Sequence, residues 1–259
     1  MKIEYTEFSA VGSVRKVNQD SIFSAAEDDC GLFVVADGMG GHIGGEIAGQ
    51  RLTEALNEWW NGFVPENLAF EKCCDELRSV ICRVHKSIYD DYTAKGTVCG
   101  TTVALLFIYS DRYIIINSGD SRVYSRKFFG IKQESADHVF GTESLISGEL
   151  DPNEIKKHPD KNKLTAAVGG KKELKLYIAS APLKTREFFL CSDGVYKNCR
   201  KRDIFAAMRR KDVVKFVSDM IEKKGSPDNY SFIRIRLKSV SGKKVKEYEY
   251  GSRYKMGYL

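Results

Sequence analysis

Apolar and polar positions along the chain follow two periods. Short apolar, β-branched runs of strand length lie at Leu32 to Ala36, Thr102 to Ile108, Tyr113 to Asn117, Glu187 to Cys191 and Tyr230 to Leu237. In the last, Phe232, Arg234 and Arg236 alternate with Ile233, Ile235 and Leu237, which predicts one buried face and one wet face. Helical spacing appears from Glu46 to Trp60 (Ile47, Ala48, Leu52, Ala55, Leu56, Trp59). It recurs from Phe70 to Tyr89 (Phe70, Cys73, Cys74, Leu77, Val80, Ile81, Val84, Ile88). These two helices are consecutive and are expected to pack antiparallel. A later helical pair is read from Asp203 to Arg209 and from Asp212 to Lys223. Strands, two helices, strands, a polar irregular segment (Lys127 to Lys175), strands, two helices and a strand suit a β-sandwich covered by helices better than alternating βαβ units. So long a polar segment inside a domain is functional or disordered.

Composition changes this picture little. At 259 residues, 42% hydrophobic and 29% charged, the chain has room for one large core or two small ones. The net charge of +6 reads as a solvated surface, and no basic groove interleaved with aromatics is visible, so no nucleic-acid partner is expected. No apolar run approaches the ~20 residues that cross a bilayer, and MKIEYTEFSA has no signal core, so no membrane partner is expected. Seven cysteines without a C-x-x-C pair argue against zinc or a disulfide framework and read as small buried apolar residues in a reducing cytoplasm. After Leu237 the chain turns basic, Tyr-rich and aperiodic. The expected division is therefore a folded domain over 1–238 and a mobile extension over 239–259.

The chemistry lies at the strand ends. Asp37 follows LFVVA, Asp120 follows YIIINSG, Asp193 follows EFFLCS, Asp228 precedes YSFIRIRL, and Asp20 sits in VNQDSIF. One Asp beside Gly is a turn signal. Several on strands of one sandwich can be delivered to one rim, where they repel unless cations lie between them. Oxygen ligands suit Mg²⁺, Mn²⁺ or Ca²⁺. The run from Asp37 to Glu46, DGMGGHIGGE, lets the backbone approach an ion or phosphate closely. It lacks the Gly-Lys-Ser/Thr of a nucleotide-binding loop.

Eight motifs in order carry a family resemblance: VRKVNQD (Val14 to Asp20), VVADGMGGHIGGE (Val34 to Glu46), GTT (Gly100 to Thr102), NSGDSRVY (Asn117 to Tyr124), ADH (Ala136 to His138), HPDKNKLTAAVG (His158 to Gly169), CSDG (Cys191 to Gly194) and SPDNYSFIRI (Ser226 to Ile235). Across Glu7 to Leu237 the chain resembles the metal-dependent type-2C protein Ser/Thr phosphatases, bacterial branch. The resemblance implies an α+β fold of two antiparallel sheets in a central sandwich flanked by pairs of antiparallel helices. It implies that Asp37 bridges two metals, that the Gly38 carbonyl binds one, and that Asp193 and Asp228 complete a shell. Asp20 holds the other metal's waters, and Gln19 stands where some relatives have a Glu ligand. Arg15 grips the substrate phosphate, Asp120 serves a third, weaker metal, and Lys127 to Lys175 forms a flap. Lys197 replaces a usual acid and is expected to weaken only that third site.

The implied reaction is hydrolysis of protein phosphoserine and phosphothreonine by direct attack of a metal-bridging hydroxide, with Mn²⁺ or Mg²⁺ lowering the pKa of water. Arg15, Asp37 and Asp193 are its catalytic residues, and no Cys-x₅-Arg arrangement supports a thiol route. Met39 stands where some relatives have a His acid and cannot donate a proton. His42 is one candidate donor and a metal-bound water another. The partners implied are phosphoproteins made by a Ser/Thr kinase, and the expected state is a cytoplasmic monomer. The alternative is a catalytically weak phosphatase-like binding module. It is disfavoured because Arg15 and the four carboxylates Asp20, Asp37, Asp193 and Asp228 occur together.

Overall fold

A computed structural model describes residues 1–40, 44–64 and 68–238. The expectations placed on His42 and on the 239–259 extension lie outside them. Two antiparallel sheets form the centre. One runs, in spatial order, β1 (Lys2–Ala10), β11 (Tyr230–Lys238), β10 (Glu187–Cys191), β7 (Arg122–Lys127) and β8 (Gly130–Gln133). The other runs β2 (Asp20–Glu27), β3 (Cys30–Gly40), β5 (Val103–Tyr109), β6 (Arg112–Ser118) and β9 (Tyr177–Pro182), with the short β4 (Cys99–Thr101) paired to β3.

Strand periodicity assigns the layers. On β3, Phe33 and Val35 point into the sandwich with Leu106, Ile115, Phe188, Leu190, Ile233 and Ile235 from both sheets. Leu32, Val34 and Ala36 point the other way, onto α1 (Gly45–Asn61) and α2 (Phe70–Thr93), where Leu52, Leu56, Leu77 and Ile81 close the layer. The outer face of the first sheet packs Phe189, Cys191 and Phe232 under α6 (Lys201–Arg209) and α7 (Val213–Glu222). Each fully buried Val, Leu, Ile or Phe among them is worth about 1.5–3 kcal/mol of transfer free energy. The layers are helix, sheet, sheet, helix, as the order of elements predicts.

Three expectations need correction. The alternate face of β11 is not wet. Arg234 is buried, donates to the Arg210 carbonyl and, at 2.7 Å, to Thr6 Oγ1, and Arg236 donates to the Met208 carbonyl. Two guanidiniums thus satisfy carbonyls at the end of α6, a favourable place for positive charge. The segment 127–175 is not irregular throughout. It holds β8, α3 (Phe140–Ser147) and α4 (Pro152–Lys157), the last entered through an Asp151–Glu154 capping box. Finally, Cys82 is exposed, whereas Cys30, Cys73, Cys99, Cys191 and Cys199 are buried as expected.

Candidate active site

Both sheets contribute to one rim. Asp20 opens β2 and lies directly opposite Asp37 in the β2–β3 register. Thr102 clamps Asp37: its Oγ1 accepts from the Asp37 N–H at 2.9 Å and its own N–H donates to the Asp37 carbonyl at 2.9 Å. The next residue must be glycine, since a Cβ on Gly38 would lie 2.2 Å from the Gly45 carbonyl oxygen and 2.6 Å from that of Gln19. From the other sheet, Asp193 starts the one-turn α5 (Asp193–Tyr196) just after β10, and Asp228 sits just before β11. Asp120 lies in the β6–β7 connection that crosses between the sheets, after Gly119 at φ +94°.

Asp37, Gly38, Asp120, Asp193, Asp228 and Arg15 line one pocket of about 400 Å³, together with Gln19, Met39, Asn162, Leu164, Lys197 and Asn229. Asp20 is buried behind them, its Oδ2 accepting from Ser192 Oγ at 2.8 Å. Sequence reading singled out six of the pocket residues and Asp20 as the site. It did not assign roles to Asn162 and Leu164, which bring the polar segment to the pocket, although both lie in the HPDKNKLTAAVG motif. Nor did it find the support for Asp120. Tyr196 donates its hydroxyl to Asp120 Oδ2 at 2.7 Å, and the Arg122 guanidinium lies 3.5 Å over the Tyr196 ring. Arg122 is itself held in a fork by Asp137.

The electrostatics are those of crowded acids. Burial first, and then the charges of Asp20, Asp193, Asp120 and Asp228, push the Asp37 carboxyl well above the usual range. Burial pushes Asp20 up to about 7 against the hydrogen bonds of Ser231 and Ser192, with Asp193 and Asp228 adding repulsion. Asp120 is raised by burial and by Asp193, and partly relieved by Tyr196 and Lys197. Burial and the neighbouring Asp120 push the Tyr196 phenol up as well, so it stays a donor.

Two cations of the chain answer this charge. Arg15 grips Asp228 through Nε at 2.9 Å and Nη2 at 3.1 Å. Lys197, one turn after Asp193, places Nζ 2.5 Å from Asp193 Oδ2. Burial would lower the Lys197 pKa, but Asp193, Asp120 and Asp37 together raise it. The expectation that Lys197 bears only on a site at Asp120 is therefore corrected: it sits on Asp193 itself. Among the described residues no three acidic, His or Cys side chains stand at metal-ligand spacing. The donor set nonetheless fits hard divalent cations. It is all oxygen, its carboxylates repel one another, and Asp20 Oδ1 is buried without a hydrogen-bond partner. Binding at Asp193 or Asp228 means competing with Lys197 or Arg15.

Residues 13–229 match the family described as protein phosphatase 2C, and the chain belongs to that family of metal-dependent phosphoprotein phosphatases. It is similar to the serine/threonine phosphatase stp of Listeria monocytogenes, at 28% identity over 86% of this chain and 92% of the relative. In structure it resembles PppA, a regulatory component of T6SS in Pseudomonas aeruginosa, at 28% identity and TM-score 0.79 over 91% of this chain and 98% of that one. It shares its fold with the catalytic domain of the phosphatase PstP in complex with two manganese ions, at 24% identity and TM-score 0.73 over 90% of this chain and 97% of that one.

Proposed function

We propose that this chain removes phosphate from phosphoserine and phosphothreonine of proteins by direct attack of water-derived hydroxide, without a phosphoenzyme. The observation that carries this reading is the convergence of Asp37, Asp120, Asp193, Asp228 and Arg15 on one pocket from both sheets. In this reading Asp37, the Gly38 carbonyl, Asp193 and Asp228 would hold two divalent ions, Mn²⁺ or Mg²⁺, Asp20 would support one of them, and Asp120 would serve a weaker third. Two such ions, when bound, supply Lewis acidity for water and for the phosphoryl oxygens. Arg15 is half-exposed at the pocket, so its planar fork can leave Asp228 for a phosphate without a large loss of ion-pair energy. Burial makes Asp37 and Asp20 poorly solvated donors, which favours a cation over water as their partner. No cysteine lines the pocket among the described residues, which agrees with a route free of thiol chemistry.

In this reading residues 1–238 form the catalytic unit and the chain works as a cytoplasmic monomer on products of a Ser/Thr kinase. Its seven unpaired cysteines suit a reducing compartment, and none of the described helices is long and apolar enough to cross a membrane. The ion pairs of Lys197 and Arg15 favour one alternative, a catalytically weak phosphatase-like module, because they compete for the same carboxylates. Phosphate release from a phosphothreonine peptide decides between the two. Turnover with Mn²⁺ that disappears with chelator supports the phosphatase, and metal binding without turnover supports the module.

A further inference from the structure

A second concavity lies at the far end of the same sheet. β7 runs from Arg122, beside the active pocket, to Arg126 and Lys127. β10 runs back from Glu187, just after Lys184, toward Asp193, and β11 runs from just after Asp228 to Lys238. Six residues of extended chain separate Glu187 from Asp193, which places the two sites about 20 Å apart. The groove has a volume of about 840 Å³, and seven of its eleven lining residues are Arg or Lys against one acid, Glu187. The fold assembles it from four separated segments. That is why its basic character is not visible as a run in the sequence.

The groove is built rather than a chance meeting of flexible side chains. Leu183 N–H donates to the Asp111 carbonyl at 2.6 Å, Thr185 Oγ1 to the Arg126 carbonyl at 2.9 Å, and Leu237 N–H to the Arg186 carbonyl at 2.8 Å. Glu187 sits between Arg126 at 2.8 Å and Arg236 at 3.5 Å, while Lys127 and Lys238 reach Glu134 and Glu4 outside the groove. Lys184 and Arg209 are exposed and have no ion-pair partner among the described residues. At its edge the β7–β8 turn carries Phe128 and Phe129, 86% and 92% exposed, edge to face with each other at 4.5 Å. Two such rings side by side in water are an unusual feature for a free surface.

We infer that this groove docks an Asp/Glu-rich segment of the protein substrate, with the Phe128–Phe129 turn covering an apolar residue beside it. The inference rests on the phosphoprotein reading above and adds a substrate class to it. Carboxylates complement the surplus of cations, which acts mainly on recognition and encounter. A polypeptide is favoured over single-stranded nucleic acid because, among the described residues, Phe128 is the one aromatic that lines the groove, where base stacking needs a succession of them. About six to nine extended residues bridge the two sites.

The test compares a short phosphothreonine peptide with the same peptide extended, through a nine-residue spacer, by a run of glutamates. In the wild type the extended peptide has a KM lower by at least about fivefold at equal kcat. Lys184→Glu/Arg209→Glu removes that gain and leaves the short peptide and p-nitrophenyl phosphate unchanged. Phe128→Ala removes part of it. Equal KM values for the two peptides in the wild type, or a gain that survives the charge reversal, overturn the proposal. If neither peptide is hydrolysed, the phosphatase reading fails, and anisotropy of a labelled, unphosphorylated glutamate peptide then tests docking alone. Binding lost in Lys184→Glu/Arg209→Glu but kept in Arg15→Ala supports the groove. Absent binding, or a dT oligonucleotide of equal charge binding more tightly, overturns it.

Discussion

Replacing Lys197 changes the affinity of the pocket for divalent ions in a direction that the geometry dictates. The ammonium sits on Asp193 and, through space, partly offsets the rise that burial and Asp193 impose on the Asp120 carboxyl. In Lys197→Ala, Asp193 no longer has to be released. The Lys197 side chain is 48% exposed, so that ion pair is screened and worth up to about 1 kcal/mol. A dication near Asp193 also ceases to feel a positive neighbour. One unit pair at contact range is about 1 kcal/mol in water, and a double charge makes it ~2. Together these give about 1–3 kcal/mol, a five- to 150-fold tighter Mn²⁺ site. Lys197→Asp adds a donor and moves further in the same direction, while Lys197→Arg keeps the wild-type affinity within a few fold. Calorimetric Mn²⁺ titration without substrate reads the effect directly, and high salt narrows it because the pair is exposed. Superimposable isotherms for wild type, Lys197→Ala and Lys197→Asp refute the argument that Lys197 competes at Asp193.

Arg15→Ala is expected to lower kcat/KM on phosphopeptides about ten- to 150-fold, the range for a charged hydrogen bond, while Mn²⁺ affinity holds or rises up to about fivefold as Asp228 is freed; Arg15→Lys does not restore the fork, and a large loss of metal affinity by calorimetry counts against the role. Asp37→Asn should cut turnover at least about 100-fold, yet raise Tm in chelator, because one member of a mutually repelling set of buried acids is gone; near wild-type turnover at saturating Mn²⁺ sinks the site assignment. His85, buried on α2, accepts from the Gly169 N–H at Nδ1 and so presents Nε2–H to the Lys172 carbonyl, and burial lowers its pKa. The unfolded chain therefore binds a proton that the folded one refuses as pH falls below about 6.5. Stability due to His85 is present above that pH and is lost as pH falls toward the lowered value. The Tm gap between wild type and His85→Gln should be constant above neutrality and shrink in acid, and a gap independent of pH refutes it.

Much of the fold is legible where burial is one-sided or complete. β5 and β6 are continuous apolar runs because sheets and helices cover both their faces, and α1 and α2 repeat at three and four because one face meets β3. Six strands were missed: β4 is only three residues long, β7 carries charged residues at both ends of a buried centre, β8 is four residues long, and the other three are only partly buried. β9 alternates half-buried and exposed residues at a sheet edge, β2 is half-buried along most of its length, and β1 pairs only with β11 in its sheet. Their side chains carry a weak period, and backbone pairing rather than apolar content holds them. Arg234 and Arg236 misled for a different reason. A charged residue looks wet in sequence, yet here each donates through a terminal nitrogen to a carbonyl at a helix end. The acids that line the pocket were legible as strand-end residues, whereas their cation partners were not: the partner of Arg15 depends on the β1–β2 loop that joins the two sheets, and that of Lys197 on the one-turn helix that starts at Asp193.

That dependence explains why the pocket sits where it does. Asp20 and Asp37 belong to one sheet, Asp193 and Asp228 flank strands of the other, and Asp120 lies on the connection between them. No single sheet could gather these acids, because neighbouring strands bring together only Asp20 with Asp37 in one sheet and Asp193 with Asp228 in the other. The seam is joined by polar groups. Asn229 Oδ1 accepts from the Gln19 N–H at 3.0 Å, its Nδ2 donates to the Val11 and Val17 carbonyls, and Ser192 Oγ reaches Asp20 across the sandwich. These bonds fix the Val11–Asp20 segment, and with it Arg15, against the sheet that carries Asp193 and Asp228. The apolar layer of Phe33, Leu106, Phe188 and Ile233 below sets the spacing of the two sheets, so close packing in the core becomes the tolerance of the site. A metal-dependent phosphatase needs its ligands held to a fraction of an ångström. Here that restraint comes from two sheets locked in register by a side-chain amide and a serine, with the repulsion among five acids offset by the chain's own Arg15 and Lys197.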